Sequence, residues 1–457
     1  MPYDGEFATY GPLRRLVQSA RVKELLGSYE VRSRADWLAV TDDEDRLELS
    51  AVKPSDWQPS WVLAIDGSYA EVKVENGFPG AEAAYVTVAS VLVDLNKVNQ
   101  LDQNRPADPR EFRTTEQTDA IDCALPGCNV VTTGESSAPN SLRRAMFDLL
   151  GDARLMADGE SLLTTYEWLM KDKPTGREPQ KCPVDSCPKQ GAEYTPGKGQ
   201  YLCNCSFQNR VYSSDALRIH EGMNPIGSNG AMFAEIMQVL ERLWLVHILR
   251  SMEAKQMLEL LDGFAFVIDG PLALFSYPAW LSKAISKELL RLNNEVKKVT
   301  GRDLLIIGIE KTGAFVEHFA QLDEYEGDGA ASFPRQTAAL LTDRYIKANI
   351  IFNRDTKLYG EGTYFGRKFF YKTRAGARIV AMLPFLREGD GNTRFAEPDQ
   401  YPRLEDAMGV LDQLVSSRYP NALSPLVSAN AQAAIPLKMG NRVLEQLAKE
   451  MMGKHKR

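Results

Sequence analysis

The chain has 457 residues, of which 44% are hydrophobic and 25% are charged, and its formal net charge is −7. That length exceeds an average domain, although one enlarged catalytic domain with insertions would also accommodate it. No apolar run approaches the roughly 18 residues needed to span a bilayer, and the N-terminus lacks a signal-peptide pattern. We therefore expect a soluble, cytoplasmic protein. The acidity argues against a generally basic nucleic-acid coat but leaves room for a local basic groove.

The first predicted elements are helices and a β-hairpin. Apolar residues at helical spacing over Leu13–Leu26 predict an N-terminal helix. The run WVLAID, Trp61–Asp66, predicts a central strand that closes on an acid. Ala83–Leu95 alternates roughly after a Gly/Pro turn signal, so the two runs predict a hairpin or meander. Asn140–Met170 is largely helical in pattern.

The second half of the chain alternates helices with strands. A cysteine-containing, Pro/Gly-rich stretch over residues 172–199 comes first and marks an insertion. The elements predicted after it are a long helix (Ala231–Leu261), a strand (Phe264–Asp269), a helix (Ala279–Thr300), a strand (Asp303–Ile309), a hairpin (367–386) and a helical region from near Leu404.

Two of the predicted strands end in an Asp-Gly pair. WVLAIDGS ends at Asp66 and FAFVIDGP ends at Asp269. One such pair is most often a plain turn. For two pairs that both end central-type strands, the expectation of plain turns falls to about one half. The order strand, hairpin, long helix, strand, helix, strand resembles a ribonuclease H-like core. In such a core, two strand acids and one helix acid bind divalent cations for phosphodiester hydrolysis. Two hard cations about 4 Å apart require oxygen ligands of this kind.

Three glutamates of the long helix compete to be the third acid: Glu235, Glu241 and Glu253. If the helix turns into the strand near Asp262, Asp269 lies roughly 20 Å beyond the turn at the usual strand rise. Glu253 lies roughly 13 Å before the turn and Glu241 roughly 31 Å before it, at the helical rise. This geometry favours Glu253, with Glu241 as the alternative if the helix is bent or turns elsewhere.

These motifs resemble the NurA-type nucleases. WVLAIDGS resembles the first motif of that family, FAFVIDGPLALF the second, and SMEAKQMLELLDGFAFVIDG the segment from helix acid to strand acid. RYPNALSPLVSANAQAA resembles a C-terminal motif, so the resemblance assigns Tyr419 to the site. Asn430 stands where the family has histidine and is carried over provisionally, because an amide can ligate a metal or orient water but is no general base.

The resemblance implies Mn²⁺- or Mg²⁺-dependent cleavage of DNA by a homodimer. It also implies a HerA-type hexameric ATPase as partner, in DNA end processing or in defence against phage. Lys311 follows a further apolar run and would suit a contact with the scissile phosphate as a point charge. A surface lysine at a strand end explains it equally well.

Four cysteines lie in two pairs in the inserted stretch: Cys182, Cys187, Cys203 and Cys205. Four thiols on two turns are able to close a tetrahedral structural zinc site, and their Pro/Gly-rich setting favours metal over inert buried thiols. His220 is an alternative ligand.

The fold that we expect is α/β, a ribonuclease H-like mixed sheet flanked by helices, with an inserted zinc-ribbon-like module and a C-terminal helical region. The expected parts are an N-terminal helical segment (1–58), the first part of the nuclease core (59–171), the cysteine module (172–220) and the second part of the core with the C-terminal region (221–457).

Two other functions compete with that of a nuclease. A non-catalytic ribonuclease H-like module, with a structural zinc, would bind nucleic acid or an ATPase; the missing histidine favours it. A nucleotide-driven ATPase is disfavoured because the chain has no G-x-x-x-x-G-K-[ST] phosphate loop.

Overall fold

The structure is a computed structural model. It describes residues 10–29, 47, 49–75, 80–100, 114–174, 182–184, 187, 199–203, 208–324, 333–415, 423–434 and 446. These residues form two compact units. The first unit holds Arg344–Arg354 and the described residues among the first 46, and the second unit holds the others. No described helix is long and apolar enough to cross a membrane.

Helices and strands both occur along most of the described chain. The α-helices are α1 (Gly11–Gln18), α2 (Ala20–Gly27), α3 (Leu95–Gln100), α4 (Ala138–Asp152), α5 (Leu162–Leu169), α6 (Gly230–Ala254), α7 (Trp280–Thr300), α8 (Ala314–Glu324), α9 (Asp343–Ile346), α10 (Leu404–Leu414) and α11 (Ser424–Ala433). The strands are β1 (Trp61–Glu75), β2 (Ala81–Asp94), β3 (Glu116–Pro126), β4 (Gln200–Leu202), β5 (Arg210–Tyr212), β6 (Phe264–Asp269), β7 (Ile306–Glu310), β8 (Thr337–Leu340), β9 (Gly366–Lys372) and β10 (Arg378–Pro384).

The first unit contains the short helices α1 and α2, most of α9 and a π-helix. Ser19 begins α2 by accepting a hydrogen bond from the N–H of Val22, which is the usual duty of a serine at a helix start. None of the residues of α1 or α2 is buried. The π-helix spans Lys347–Ile351 and ends at Phe352, whose φ is +52°.

The second unit is built on one sheet in the order β3-β2-β1-β6-β7-β10-β9-β8. The three central strands β1, β6 and β7 are parallel to one another. The flanking strands pair antiparallel, β2 and β3 on one side and β10, β9 and β8 on the other. The pairing of β9 with β10 is the hairpin that the sequence predicts at residues 367–386.

Helices cover both faces of this sheet. Leu63 and Ile65 of β1 pack in a core that α6 and α7 share, whereas Val62 and Ala64 pack in a second core with α10 and α11. This follows from the strand geometry, in which successive side chains point to opposite faces. The mixed α/β class with a large sheet flanked by helices is therefore confirmed.

One strand differs from its prediction. β1 does not end at Asp66 but continues for nine residues to Glu75, paired with β2 as far as Lys73 and, after a shift in register, again at Glu75. Only its pairing with β6 ends there, at Ile65 opposite Ile268. An acid that closes an apolar run thus marks the end of one strand pairing rather than the end of the strand.

Candidate active site

Asp66 and Asp269 lie side by side at one end of the parallel strands. The last pair of β1 with β6 joins Ile65 to Ile268, so the next residue on each strand is one of the two acids. Neighbouring strands lie about 4.8 Å apart, which puts the carboxylates within reach of one cation. The cation present is the ammonium of Lys311, whose Nζ lies 3.3 Å from Asp66 Oδ2 and 2.9 Å from Asp269 Oδ1.

Lys311 is held in place by the strand that precedes it. It directly follows β7, whose last residue, Glu310, forms a salt bridge with the buried Lys368 of β9. The ammonium of Lys368 also lies 3.8 Å from the centre of the Phe315 ring on α8. Lys368, a buried cation that is paired and packed against an aromatic ring, fixes the end of β7. The backbone from which Lys311 extends is therefore held in place.

The third acid at this site is Glu241 of α6. It is 2% exposed and accepts a hydrogen bond from the backbone N–H of Gly67, the residue after Asp66. A Cβ on residue 67 would lie 2.5 Å from Glu241 Oε1, so the glycine makes room for the carboxylate. In the Asp-Gly pair of β1, Asp66 therefore supplies one carboxylate, and Gly67 leaves the space that the carboxylate of Glu241 occupies.

Glu253, the helix acid favoured from the sequence, lies elsewhere. It forms two 2.7 Å hydrogen bonds with the guanidinium of Arg291 on α7. Twelve residues separate it from Glu241, which is about 18 Å along the helix. Glu241, the alternative, is the glutamate that the structure brings to Asp66 and Asp269.

The reason for this correction is the end of α6. The helix ends at Ala254, and Gln256 adopts a left-handed φ of +59° before a 3₁₀ helix over Leu258–Gly263. Glu241 lies 13 residues before the helix end, about 20 Å, which matches the roughly 17 Å from Phe264 to Asp269. The apolar pattern continues past Ala254, and a helix usually ends on glycine rather than glutamine, so nothing in the sequence marks this end.

Among the described residues, the structure shows no contact between the three acids and the remaining residues predicted for the site. Glu235 accepts a hydrogen bond from the backbone N–H of Tyr277. Asn430 lies on α11 with an exposed side chain. Tyr419 lies outside the described residues. Their part in the site stays a prediction.

Burial and mutual repulsion control the protonation of the acids. Burial, followed by the charge of Asp269, raises the pKa of Asp66 to about 8, although Lys311 acts in the opposite direction. Burial also raises the pKa of Glu241 to about 7, against the opposing charge of Arg242. Burial alone would lower the pKa of Lys311, but the two aspartates outweigh it and the pKa is raised.

This set of side chains fits a hard divalent cation. Asp66, Asp269 and Glu241 carry three formal negative charges, against two positive charges on Lys311 and Arg242, so one negative charge is left. The donors are carboxylate oxygens, which Mg²⁺ and Mn²⁺ prefer, and those of Asp66 and Asp269 lie around a common point, the Nζ of Lys311. Burial is the main cause of the raised pKa of Asp66 and of Glu241, and a bound divalent cation would lower both pKa values.

Arg242 is a further residue of the site that the sequence motifs did not predict. It follows Glu241 in α6, is 2% exposed and forms a salt bridge with that glutamate. The available signal was the pair Glu-Arg in the middle of the apolar stretch VLERLWLVHIL, because charged residues at such positions are buried and must be paired.

A second cluster is formed by Cys182, Cys187 and Cys203, whose sulfur atoms all lie within 4.8 Å of one another. The sulfurs of Cys187 and Cys203 are 3.7 Å apart, too far for a disulfide. Two thiolates on a tetrahedral zinc, at about 2.3 Å each, stand about 3.8 Å apart. Burial, with the neighbouring thiols, raises the pKa of Cys182 to about 12, and a bound cation would reverse this. These thiols are therefore a group able to hold a metal ion.

Two other ligands were predicted from the sequence, Cys205 and His220. Cys205 lies outside the described residues, and His220 lies on a separate 3₁₀ helix, Ile219–Gly222. Cys203 directly follows β4, and with Val211 of β5 it forms the small buried centre of the two-stranded ribbon. A centre this small does not supply enough buried apolar surface to stabilise a ribbon by itself.

Comparison with protein families identifies the family of the chain. The family model for the NurA domain matches residues 199–435, more than half of the 457-residue chain. The chain belongs to the NurA family. The family prediction made from the sequence motifs is thus confirmed. The match includes Glu241, Asp269 and Lys311, and the sheet brings Asp66 to them from outside the matched NurA domain.

Solved structures show similarity to NurA as well. The crystal structure of the NurA nuclease from Sulfolobus solfataricus is 10% identical, with a TM-score of 0.36 and 98% of each chain covered. A second crystal structure of NurA is 11% identical, with a TM-score of 0.29, and the match covers 96% of this chain and 97% of that one. No curated protein matches the chain.

Proposed function

We propose that this chain is a metal-dependent deoxyribonuclease that hydrolyses phosphodiester bonds. The observation that supports this most is the meeting of Asp66, Asp269 and Glu241 with Lys311 at one end of two parallel strands. Membership of the NurA family agrees with it. Three buried or half-buried acids with one negative charge in excess have little structural use, because each costs free energy to bury.

A ribonuclease H-like core is part of the proposal. Such a core has a three-stranded antiparallel meander, and beside its first strand lie two further strands in sequence, both parallel to it. The segment β3-β2-β1-β6-β7 has this order and these directions. The helix α6 lies between β3 and β6 in the chain and carries Glu241, as the helix acid of such a core does.

The chain's own residues have distinct roles in this proposal. Asp66, Asp269 and Glu241 would hold Mg²⁺ or Mn²⁺ through their carboxylate oxygens. When bound, a cation pair stabilises the charge on the attacking and leaving oxygens of the phosphodiester. Lys311 forms salt bridges with Asp66 and Asp269 in the structure. When cations bind these carboxylates instead, the lysine would contact the substrate phosphate. Tyr419 and Asn430 keep the roles that the family resemblance assigns to them.

We further propose that the cysteine group binds a structural zinc. Cys182, Cys187 and Cys203 supply three thiolates, and Cys205 is the proposed fourth. Zinc bound by four thiolates has no open position, so its contribution would be folding of the ribbon rather than catalysis. The cysteine module at 172–220 would then be an insertion between the two parts of the nuclease core, 59–171 and 221–457.

The biological setting proposed is that of the family resemblance: a cytoplasmic homodimer that works on DNA with a HerA-type hexameric ATPase. The chain lacks a phosphate loop, so energy for moving DNA would come from another protein. End processing in repair and defence against phage both suit such a pair.

The test is cleavage of end-labelled linear DNA and closed circular DNA by purified protein, with and without Mn²⁺. We expect cleavage only with the cation, and a loss of at least about 100-fold in Asp66→Asn and Asp269→Asn, since each removes a charge aimed at the transition state. Cleavage that both variants retain, in preparations free of contaminating nuclease, would rule out this active site.

A titration with Mn²⁺ and zinc tests the non-catalytic alternative, which one observation favours: the exposed Asn430 in place of the family's histidine. A scaffold of that kind would bind zinc at the thiols but no Mn²⁺ at the acids.

A further inference from the structure

Arg242 spans the gap between the helix acid and the strand that carries Asp269. It lies on α6, is 2% exposed, and its Nη1 forms a salt bridge with Glu241. Its Nη2 donates to the backbone carbonyl oxygens of Asp269, at 3.0 Å, and Pro271, at 2.9 Å. One guanidinium thus contacts a proposed metal ligand on the helix and the main chain of another on the sheet.

The turn after Asp269 is shaped around this guanidinium. Gly270 has a φ of +76°, a conformation that favours glycine, and its N–H donates to the carbonyl of Ile309 at 2.8 Å. A Cβ on residue 270 would lie 3.0 Å from Nη2 of Arg242. The glycine therefore serves two purposes, since it turns the chain and leaves room for the arginine. This gives a physical reason for the sequence Asp-Gly-Pro at the end of β6.

Three contacts join the three acids in pairs. Lys311 joins Asp66 to Asp269. The N–H of Gly67 joins β1 to Glu241, and Arg242 joins Glu241 to the end of β6. Neutralising Glu241 would need only the salt bridge. The two bonds to carbonyl oxygens do something else: they restrain how far α6 stands from the end of β6.

We propose that Arg242 is a positioning residue that sets the separation between Glu241 and the two strand acids, and hence the spacing at which cations are bound. This inference rests on the proposed function, because it concerns the same acids. Lysine is a poor replacement at this place: it keeps the positive charge but lacks the planar fork that serves three acceptors at once. The groups that orient metal ligands usually matter about 10- to 100-fold for metal affinity.

The experiment measures Mn²⁺ binding by calorimetry in the absence of DNA, for wild type, Arg242→Lys, Gly270→Ala and Arg250→Lys. Arg250 is the matched control: it lies two turns further along α6, is largely buried, and pairs with Glu288 rather than with the acids. We expect Kd for Mn²⁺ to rise about 10- to 100-fold in Arg242→Lys and in the same direction in Gly270→Ala. Arg250→Lys should stay within about twofold of wild type, because it leaves the metal ligands and the groups that orient them unchanged.

Thermal unfolding and cleavage separate positioning from mere support of the fold. A structural role would lower Tm and leave Mn²⁺ affinity of the folded protein unchanged. A positioning role lowers kcat at fixed Mn²⁺, leaves KM for DNA unchanged, and allows partial recovery at higher Mn²⁺. Wild-type affinity for Mn²⁺ in folded Arg242→Lys would overturn the inference. If Arg242→Lys does not fold, the Mn²⁺ affinity of Gly270→Ala becomes the deciding measurement, because this variant displaces the guanidinium and keeps its charge.

The two levels of the proposal fail in different ways. If wild-type protein binds no Mn²⁺, the proposed function itself is wrong. If wild type binds Mn²⁺ and folded Arg242→Lys binds it equally well, the nuclease proposal stands and only the positioning role is rejected.

Discussion

A comparison of Glu241→Gln with Glu253→Gln tests the arrangement of the acids most directly. Both glutamates lie on α6, and the same substitution removes one charge from each without changing its shape. Glu241→Gln keeps an acceptor for the N–H of Gly67 but takes the formal charge of the group from −1 to zero. Two unit charges 4 Å apart interact with about 4 kcal/mol at an effective dielectric constant near 20, and a divalent cation doubles this. A loss of about 2.7 kcal/mol, or 100-fold in cleavage, is therefore a conservative expectation.

Glu253→Gln should behave differently because its partner is on the surface. Glu253 and Arg291 have side chains that are 29% and 37% exposed, and ion pairs of this kind contribute about 0–1 kcal/mol. We expect Tm to fall by no more than about 4 °C and cleavage to stay within about threefold of wild type.

The assay is Mn²⁺-dependent cleavage of end-labelled linear DNA, with Tm measured on the same preparations. Equal folding with a large difference in cleavage is the expected result. An active Glu241→Gln beside an inactive, folded Glu253→Gln would refute the structural assignment and restore the glutamate that the sequence favours.

Three further predictions concern the lysine, the thiols and pH. Lys311→Met should reduce cleavage about tenfold or more and tighten Mn²⁺ binding, since it removes the cation now between Asp66 and Asp269; weaker Mn²⁺ binding in calorimetry would contradict this. Cys203→Ser should lower the zinc content found by elemental analysis from about one atom per chain and reduce Tm, as chelators should; full zinc retention would exclude the thiol site. Because the pKa of Asp66 is raised to about 8, the folded metal-free protein keeps a proton that the unfolded chain loses above its ordinary pKa of 3.8. Its stability should therefore fall as pH rises from about 4 to 8. Because the pKa of Glu241 is also raised, to about 7, Mn²⁺ binding at pH 7 should release roughly one to two protons from the two acids, falling toward zero near pH 9. Calorimetry in two buffers of different ionisation enthalpy measures this release, and equal enthalpies at pH 7 would disprove it.

Local patterns were enough to locate the two strand acids. The apolar runs before Asp66 and Asp269 are buried strands in the structure, and the sheet pairs these two strands side by side. The cysteine pairs were visible for the same reason, because ligand spacing on a short turn is a property of the local chain. Three of the four thiols come together in the described residues.

Other features had no local signal. The extension of β1 to Glu75 depends on β2, which continues the pairing after β6 has ended. The choice between Glu241 and Glu253 depends on where α6 ends, and that end is a glutamine at φ +59° rather than a glycine. Each residue of a helix moves a side chain about 1.5 Å along the helix axis. Placing the end of α6 several residues too late therefore selects Glu253 instead of Glu241.

The sequence by itself determined the α/β character, the family, and the positions of Asp66, Asp269 and the cysteines, since apolar periodicity and short spacings are encoded locally. Only the tertiary structure decided which helix glutamate joins the strand acids, that Lys311 lies between them, and that Arg242 fills the space left by Gly270. These are contacts between segments up to 245 residues apart, and they depend on packing of α6 against the sheet. Burial then raises the pKa of Asp66 and of Glu241, which no local pattern can reveal.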